Sequence, residues 1–429
     1  MKIVYSEKFE KMKGKTYFPL LSAEEQEVVR RLALQHKLTY QELRQLAEAG
    51  RDLTMWQEGG LSGWRNSLNG GAENLKSGKL LLTHLNAYLN SKRREPKSYP
   101  EEGFAKPAHR EKKQLVQIES DKKIQGMCPV ASPQTVCCNL RTIDAVENCA
   151  FGCSYCTIQT FYTDKFLFDN NFVEKLNKIE IEADRPYHFG TGQSSDSLVW
   201  GNKYGNLDAL CNWAAEHPNV VLELKTKSDN IAYFLQNEIP PNLVCSWSLN
   251  TPVIIRNEEH FTANLEQRLH AARAIADRGV KVSFHFHPMV YYKNWEVDYP
   301  EIAARLIEMF DAQETLFISF GSVTMIKPAM KKIRNNGHQT KILQMQLVAD
   351  PHGKQTYPDE TKVMMFKRMY EAFQPWRDDV FFYLCMEKPE IWLSAFGSVY
   401  ENNDLFESEL LSSCMSKINQ RRAKTCSPI

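Results

Sequence analysis

Apolar residues recur at helical spacing through most of the first hundred positions, and two sites mark where helices begin. Ser22 with Glu25 and Thr39 with Glu42 are capping boxes, each a hydroxyl followed three residues later by a carboxylate ahead of an apolar periodic run. A glycine-rich stretch from Gly59 to Gly71 breaks the pattern, and LLLTHLNAYL then predicts a third helix ending in the charged turn SKRREPK. Residues 1–125 read as a helical extension closed by the polar linker PEEGFAKPAHREKK. No internal repeat points to a solenoid.

From about residue 140 the pattern changes to short β-rich runs separated by helices, as a parallel sheet with crossover helices requires. VVLELKTK is followed by Ser228 as a cap, the helix DNIAYFLQ and the strand LVCSWSLN. Alternation puts Ser246, Ser248 and Asn250 on one side of that strand and Cys245, Trp247 and Leu249 on the other. A polar face on a buried strand predicts a ligand-holding lumen. The helix expected over 263–278 aligns Leu265, Leu269, Ala272 and Ala276, stops at Gly279 and hands over to VKVSFHFHP, in which Lys281, Ser283, His285 and His287 share one face. The rhythm predicts an α/β open or partial barrel over 126–400, with chemistry at the carboxyl ends of its strands, and a C-terminal tail over 401–429.

Composition narrows the function. With 43% hydrophobic and 24% charged residues and a mean hydropathy of -0.46, disordered, coiled-coil and collagen classes are excluded. Lys and Arg number 53 against 52 Asp and Glu, so a nucleic-acid surface has to be a local patch. The chain has no run of about 18 apolar residues and its first residues lack an apolar signal core, so a cytoplasmic protein with no membrane partner is expected. Eleven cysteines are too sparse for a disulfide scaffold, and clustered thiols in a reducing compartment bind metal.

The segment ENCAFGCSYC places Cys149, Cys153 and Cys156 in a C-x3-C-x2-C array directly after the predicted strand NLRTIDAV. Three thiolates can hold three irons of a [4Fe-4S] cluster and leave the fourth open. An open iron can chelate the amino and carboxylate groups of S-adenosylmethionine and, given an external one-electron donor, reduce its sulfonium to release a 5'-deoxyadenosyl radical. Tyr155 is placed to contact the adenine. The alternative is zinc, which takes a fourth ligand; Cys128, Cys137 and Cys138 are close in sequence, and the protein would then be a non-catalytic nucleic-acid binder.

The triad loop ahead of a βα series, with an aromatic at Tyr155, resembles the radical S-adenosylmethionine superfamily, whose fold is a partial (β/α)6 barrel. GQSSDS, LKTKSDNI, SWSLN, the run from Val253 to Met289 and SFGSVTMIKPAMKKI resemble, in order and spacing, the spore photoproduct lyase family over residues 135 to about 345. The first 125 residues are an addition to the shorter lyases. The resemblance implies a lyase acting on DNA photoproducts, with Cys149, Cys153 and Cys156 on the cluster and Ser195, Lys227 and Ser248 on S-adenosylmethionine. Physical chemistry supports those roles: a strand-end lysine can pair with the methionyl carboxylate, and hydroxyls can donate to carboxylate or ribose. Gly190 and Gly192 allow close backbone approach to the methionyl amine, and Asp196 is expected as a nearby orienting group.

Two positions depart from the family pattern. Where the lyases carry a hydrogen-donating cysteine this chain has Gln193, and where they carry a tyrosine after the last cluster cysteine it has Thr157. An amide N–H is too strong a bond to replace a thiol. Either the donor has moved, with Cys137 and Cys138 open candidates and Tyr155 and Tyr162 behind them, or the substrate has changed, for instance to RNA or a nucleotide. Cys211 and Cys245 read as core. His285 and His287 are expected as hydrogen-bonded lumen histidines, with no carboxylate at matching spacing. For phosphates the sequence offers Lys327, Lys331, Lys332, Arg334 and Lys341, together with SKRREPK; Trp200, Tyr291, Tyr292 and Trp295 are candidates to stack on an extruded base.

Overall fold

The computed structural model describes residues 4–68, 71–105, 113–128, 134–350 and 352–425, with the side chains of 421–425 excepted. Residues 106–112 of the expected linker and the last four of the tail lie outside the described residues. The chain forms two compact units, Met1–Pro107 with Met325–Gln355, and Ala108–Thr324 with Thr356–Ile429.

The first unit is helical, with helices Tyr5–Lys13, Ala23–His36, Tyr40–Met55, Gly60–Asn66 and Gly78–Arg94. Thr39 and Glu42 form the reciprocal box, each accepting from the other's backbone N–H at 3.3 and 2.8 Å. The pair at Ser22 is only half a box. Ser22 Oγ accepts from Glu25 N at 3.2 Å, while the Glu25 carboxylate turns to the backbone N–H of Leu61 at 3.0 Å. There it caps a helix inside the glycine-rich stretch, which had read only as a break. Gly60 has φ +63 and would carry its Cβ into that carboxylate, so glycine is required.

Residues 325–355 belong to this unit, a division that differs from the boundaries expected at 125 and 400. The reason is a buried ion pair: Arg334 Nε and Nη2 donate to Asp52 at 2.7 and 2.9 Å, and Lys341 Nζ donates to Trp56 O at 2.7 Å. Partners almost 300 residues apart leave no local sequence signal.

The second unit is a curled eight-stranded sheet: β1 (Gln125–Met127), β2 (Arg141–Ile143), β3 (Tyr187–Thr191), β4 (Val220–Thr226), β5 (Leu243–Ser248), β6 (Lys281–Met289), β7 (Thr315–Ser322) and β8 (Phe381–Leu384). Spatial order follows chain order; β2 to β8 are all parallel and β1 is antiparallel to β2. β2 to β7 are the six strands of the expected partial barrel, and β8 adds a seventh. Helices such as Asn206–Glu216, Leu265–Ala276 and Trp295–Met309 return the chain between strands. The helix after Ser228 is shorter than expected, Ala232–Gln236, because Ser228 Oγ accepts from Asn230 N at 3.1 Å in a turn instead of capping it.

Two closures complete this unit. Val136 bridges to Glu387, so the segment before β2 reaches the chain beyond β8. The expected tail is a helix, Asn403–Thr425, that crosses the amino ends of the strands: Lys417 Nζ donates to Thr315 O at 2.6 Å, and Glu407 pairs with Arg141 at 2.6 Å. Its own Cys414 and Ile418 are buried. Among the described residues no helix is long and apolar enough to cross a membrane.

Candidate functional site

Cys149, Cys153, Cys156, Gly192, Ser195, Asp196, Lys227 and Ser248 all sit at or just beyond the carboxyl end of a parallel strand, where a βα architecture leaves its loops free to carry function. The cysteine loop follows β2, Gly192 to Asp196 follow β3, Lys227 follows β4, and Ser248 ends β5.

The loop is held from below. Cys153 pairs with Glu259 in a short antiparallel ladder, and Ser154 N donates to Glu258 O at 2.8 Å. Ser195 Oγ donates to Asn148 O at 3.0 Å, directly before Cys149, and accepts from Trp200 Nε1 at 3.0 Å. The three cluster candidates are free thiols, half-exposed as residues. Burial of the thiol, joined by the charges of Asp196 and Cys156, pushes Cys149 up to about 12; burial and Glu259 push Cys153 well above the usual thiol range. Cys149 and Cys153 become thiolate only against a cation, so the donor chemistry fits a metal cluster. Among the described residues no three His, Cys, Asp or Glu side chains already converge as a metal cage.

Beside the loop stands a carboxylate that sequence reading missed. Glu259 is 3% exposed and accepts from Arg268 Nη2 at 2.5 Å, from Asn250 Nδ2 at 3.4 Å and from the Tyr155 hydroxyl. Lys227 Nζ lies 3.9 Å from it and 5.8 Å from the Tyr155 ring centre. Burial pushes Glu259 up, but Arg268 and Lys227 outweigh it and hold the carboxyl at about 2. The run RNEEHF offered two adjacent glutamates and no local means of choosing between them.

Asp196 fixes the approach of Lys227. It accepts from Lys227 N at 2.7 Å, Thr226 Oγ1 at 2.9 Å, Val199 N at 2.9 Å and Leu198 N at 3.1 Å. These bonds fill the carboxylate, so it acts on the site by orienting backbone. Gly192 has φ +83 and a Cβ there would stand 2.8 Å from Lys225 O, whereas Gly190 makes room for Leu140, 3.2 Å from its missing Cβ. Ser248 ends β5 half-buried, its carbonyl accepting from Arg268 Nη1 at 2.8 Å.

The lumen holds a second network. Glu223 is fully buried, with His285 Nε2 at 2.5 Å, His188 Nε2 at 3.0 Å and Lys225 Nζ at 3.6 Å; Ser319 Oγ stands 2.5 Å from His285 Nδ1 and 2.9 Å from His287 Nε2. The histidines are hydrogen-bonded as expected, and the carboxylate that their own strand does not supply comes from β4, two strands from β6 across β5. Alternation in VVLELKTK, which sets Glu223 and Lys225 opposite Leu222 and Leu224, is the signal that finds it.

Other candidates are redistributed. Tyr292 and Trp295 are buried, with the Tyr292 hydroxyl 2.9 Å from Thr251 Oγ1, so neither is free to stack on a base; Trp200 and Tyr291 remain half-exposed. Cys211 and Cys245 are buried core. Cys138 feels the charges of Cys137, Cys385 and Lys225, a group apart from the loop thiols. Arg334 and Lys341 are buried and paired within the helical unit, leaving Lys327, Lys331 and Lys332 exposed for phosphates. A cavity of about 400 Å³ opens beside the cysteine loop, with Asp144, Asn148, Phe161, Tyr162, Gln193 and Ser194 in its wall. Tyr162 OH lies 3.8 Å from Cys156 Sγ.

The chain is similar to the spore photoproduct lyase of Clostridium acetobutylicum, 27% identical over 199 residues that make up 44% of this chain and 59% of the relative. That of a Geobacillus species is 23% identical over 208 residues, 47% and 61% of the two chains. The match spans about three fifths of the length of these relatives. Among solved structures, spore photoproduct lyase complexed with dinucleoside spore photoproduct superposes with a TM-score of 0.53 at 20% identity, covering 63% of this chain and 81% of that one. A double mutant of the lyase with bound AdoMet and dinucleoside spore photoproduct gives the same values. At that identity the superposition establishes the fold. The family model described as spore photoproduct lyase matches residues 141–367, more than half of the chain, which therefore belongs to the spore photoproduct lyase family.

Proposed function

We propose that this protein is a radical S-adenosylmethionine lyase that acts on a photoproduct in DNA, with Cys149, Cys153 and Cys156 as ligands of a [4Fe-4S] cluster. The observation that carries the reading is the convergence of Lys227, Tyr155 and the three-thiol loop on Glu259. Bound at that loop, a cluster with one open iron and S-adenosylmethionine supply a 5'-deoxyadenosyl radical when an external donor provides one electron.

The chain's own residues bind and orient. Lys227 offers its ammonium to the methionyl carboxylate, and Tyr155 its ring to the adenine. Ser195 and Ser248 are placed to donate to carboxylate or ribose, while Gly192 keeps the end of β3 free of a side chain near the amine and Gly190 instead seats Leu140. Asp196 holds the Lys227 backbone at the strand end. The cavity beside Tyr162 takes the damaged base, and Gln193 in its wall can read a pyrimidine edge through its amide.

A second reading keeps the cofactors and changes the substrate to RNA or a nucleotide. It is favoured by Gln193, which cannot return a hydrogen atom. The deciding experiment incubates reconstituted, reduced protein with S-adenosylmethionine and ultraviolet-irradiated DNA in D2O, and follows deuterium from the solvent-exchanged thiol into repaired dinucleotide in wild type, Cys137→Ala and Cys138→Ala. Label in the product supports DNA repair, and its loss in one variant identifies the donor. Cleavage of S-adenosylmethionine with no label transfer leaves the second reading standing.

A further inference from the structure

Two basic runs separated by more than 200 residues of sequence line a single cavity of about 1040 Å³ inside the helical unit. SKRREPK contributes Arg94, the segment from Lys327 contributes Lys327 and Lys331, and the helical extension adds Lys15 and Arg44. These five side chains are exposed and none is ion-paired with a described residue. Glu48, the carboxylate in the wall, lies 3.2 Å from Arg334, whose charge also serves Asp52, so one negative charge stands among the cations.

Five cations around one concavity repel each other and outnumber the single carboxylate of the wall. A ligand that brings several negative charges at regular spacing relieves them, and each phosphate it places there releases counterions. The remaining wall chemistry narrows the class. Tyr17 and Tyr40 are half-buried in the same wall above an apolar floor that includes Leu343 and Met345. Tyrosine faces next to backbone-tracking cations form the recognition surface for unpaired bases, whereas a duplex keeps its base faces stacked inside. The volume also suits bases entering a pocket.

We propose that the helical unit is a binding groove for single-stranded nucleic acid, with Lys15, Arg44, Arg94, Lys327 and Lys331 on phosphates and Tyr17 and Tyr40 on bases. The proposal shares the nucleic-acid premise of the lyase reading but none of its radical chemistry.

The test is fluorescence anisotropy of a labelled single-stranded DNA oligonucleotide with the full-length protein, without S-adenosylmethionine or reductant. Five phosphate contacts on a single strand carry a salt slope near -3.5, so affinity should fall ~100-fold between 50 and 200 mM salt. Reversing Lys327→Glu with Lys331→Glu should weaken binding at least about tenfold at low salt, as should Arg44→Glu with Arg94→Glu. Lys76→Glu with Lys79→Glu, exposed positions of the same unit outside the groove, should leave it within about twofold. Tyr17→Leu with Tyr40→Leu should reduce the preference for single strand over duplex. Equal loss in the Lys76 and Lys79 control, no loss in the groove variants at an unchanged melting temperature, or equal affinity for duplex and single strand overturns the proposal. Intact oligonucleotide binding in protein that never cleaves S-adenosylmethionine would sink the lyase reading alone.

Discussion

Lys227 Nζ faces Glu259 Oε1 at 3.9 Å, while the same carboxylate is gripped by Arg268 at 2.5 Å. The lysine is thus the loosely held partner of a buried anion that already has a tight one. It can turn to an incoming carboxylate without leaving Glu259 unpaired, because Arg268 still compensates that charge.

Lys227→Met should therefore separate ligand binding from folding. Losing a charge-assisted contact of about 1.5–3 kcal/mol raises the dissociation constant for S-adenosylmethionine ~10- to 100-fold, with the melting temperature little changed. Equilibrium dialysis with labelled ligand measures it, and an unaltered affinity would remove Lys227 from the site.

Glu259→Gln should instead destabilise the protein, by about 3–5 kcal/mol above pH 5, because Arg268 is left buried without its counter-charge. The folded carboxyl sits at about 2, below its value in the unfolded chain of about 4.3. Its stabilisation is accordingly complete above that unfolded value and fades as pH falls towards 2. Denaturation midpoints of wild type and variant, compared from pH 6 down to pH 3, should converge on acidification. A constant gap would contradict the depressed carboxyl.

Asp196→Asn places an amide donor where an oxygen now accepts backbone N–H groups. With four bonds to serve, one face must be lost, at about 2–4 kcal/mol. The loss should extend to faster amide exchange at Lys227, read by hydrogen–deuterium exchange. Protection at Lys227 equal to wild type would mean the carboxylate does not position it.

Gly192→Ala forces a side chain into left-handed backbone and sets its Cβ 2.8 Å from Lys225 O. A destabilisation of about 1–3 kcal/mol is expected by chemical denaturation. A neutral result would show that the β3 turn relaxes freely.

Gln193→Cys restores a thiol on the cavity wall beside Tyr162. In D2O, deuterium in repaired dinucleotide should rise above wild type if DNA photoproduct is the substrate, because the thiol donates a solvent-exchanged hydrogen. An unchanged yield would place the hydrogen donor elsewhere.

Some of this was legible in sequence because it is written locally. Strand alternation assigned the lumen faces of β5 and β6, the C-x3-C-x2-C spacing marked the cysteine loop, and Thr39 with Glu42 announced a helix start, each within one element or turn. Long-range pairing was not legible. Glu25 looked like half of its own capping box and instead caps Leu61; Arg334 looked like a phosphate ligand and instead neutralises Asp52.

What the amino-acid order alone determined is therefore periodicity and inventory: which faces are polar, where helices start, and which thiols cluster. Tertiary structure decided which charges remain free. Glu259 beneath Tyr155, Glu223 between His188 and His285, and the five cations around the cavity of the helical unit all depend on residues brought together from distant segments. A buried charge takes its behaviour from the counter-charges and hydrogen bonds around it, and those neighbours exist only once the chain has closed on itself.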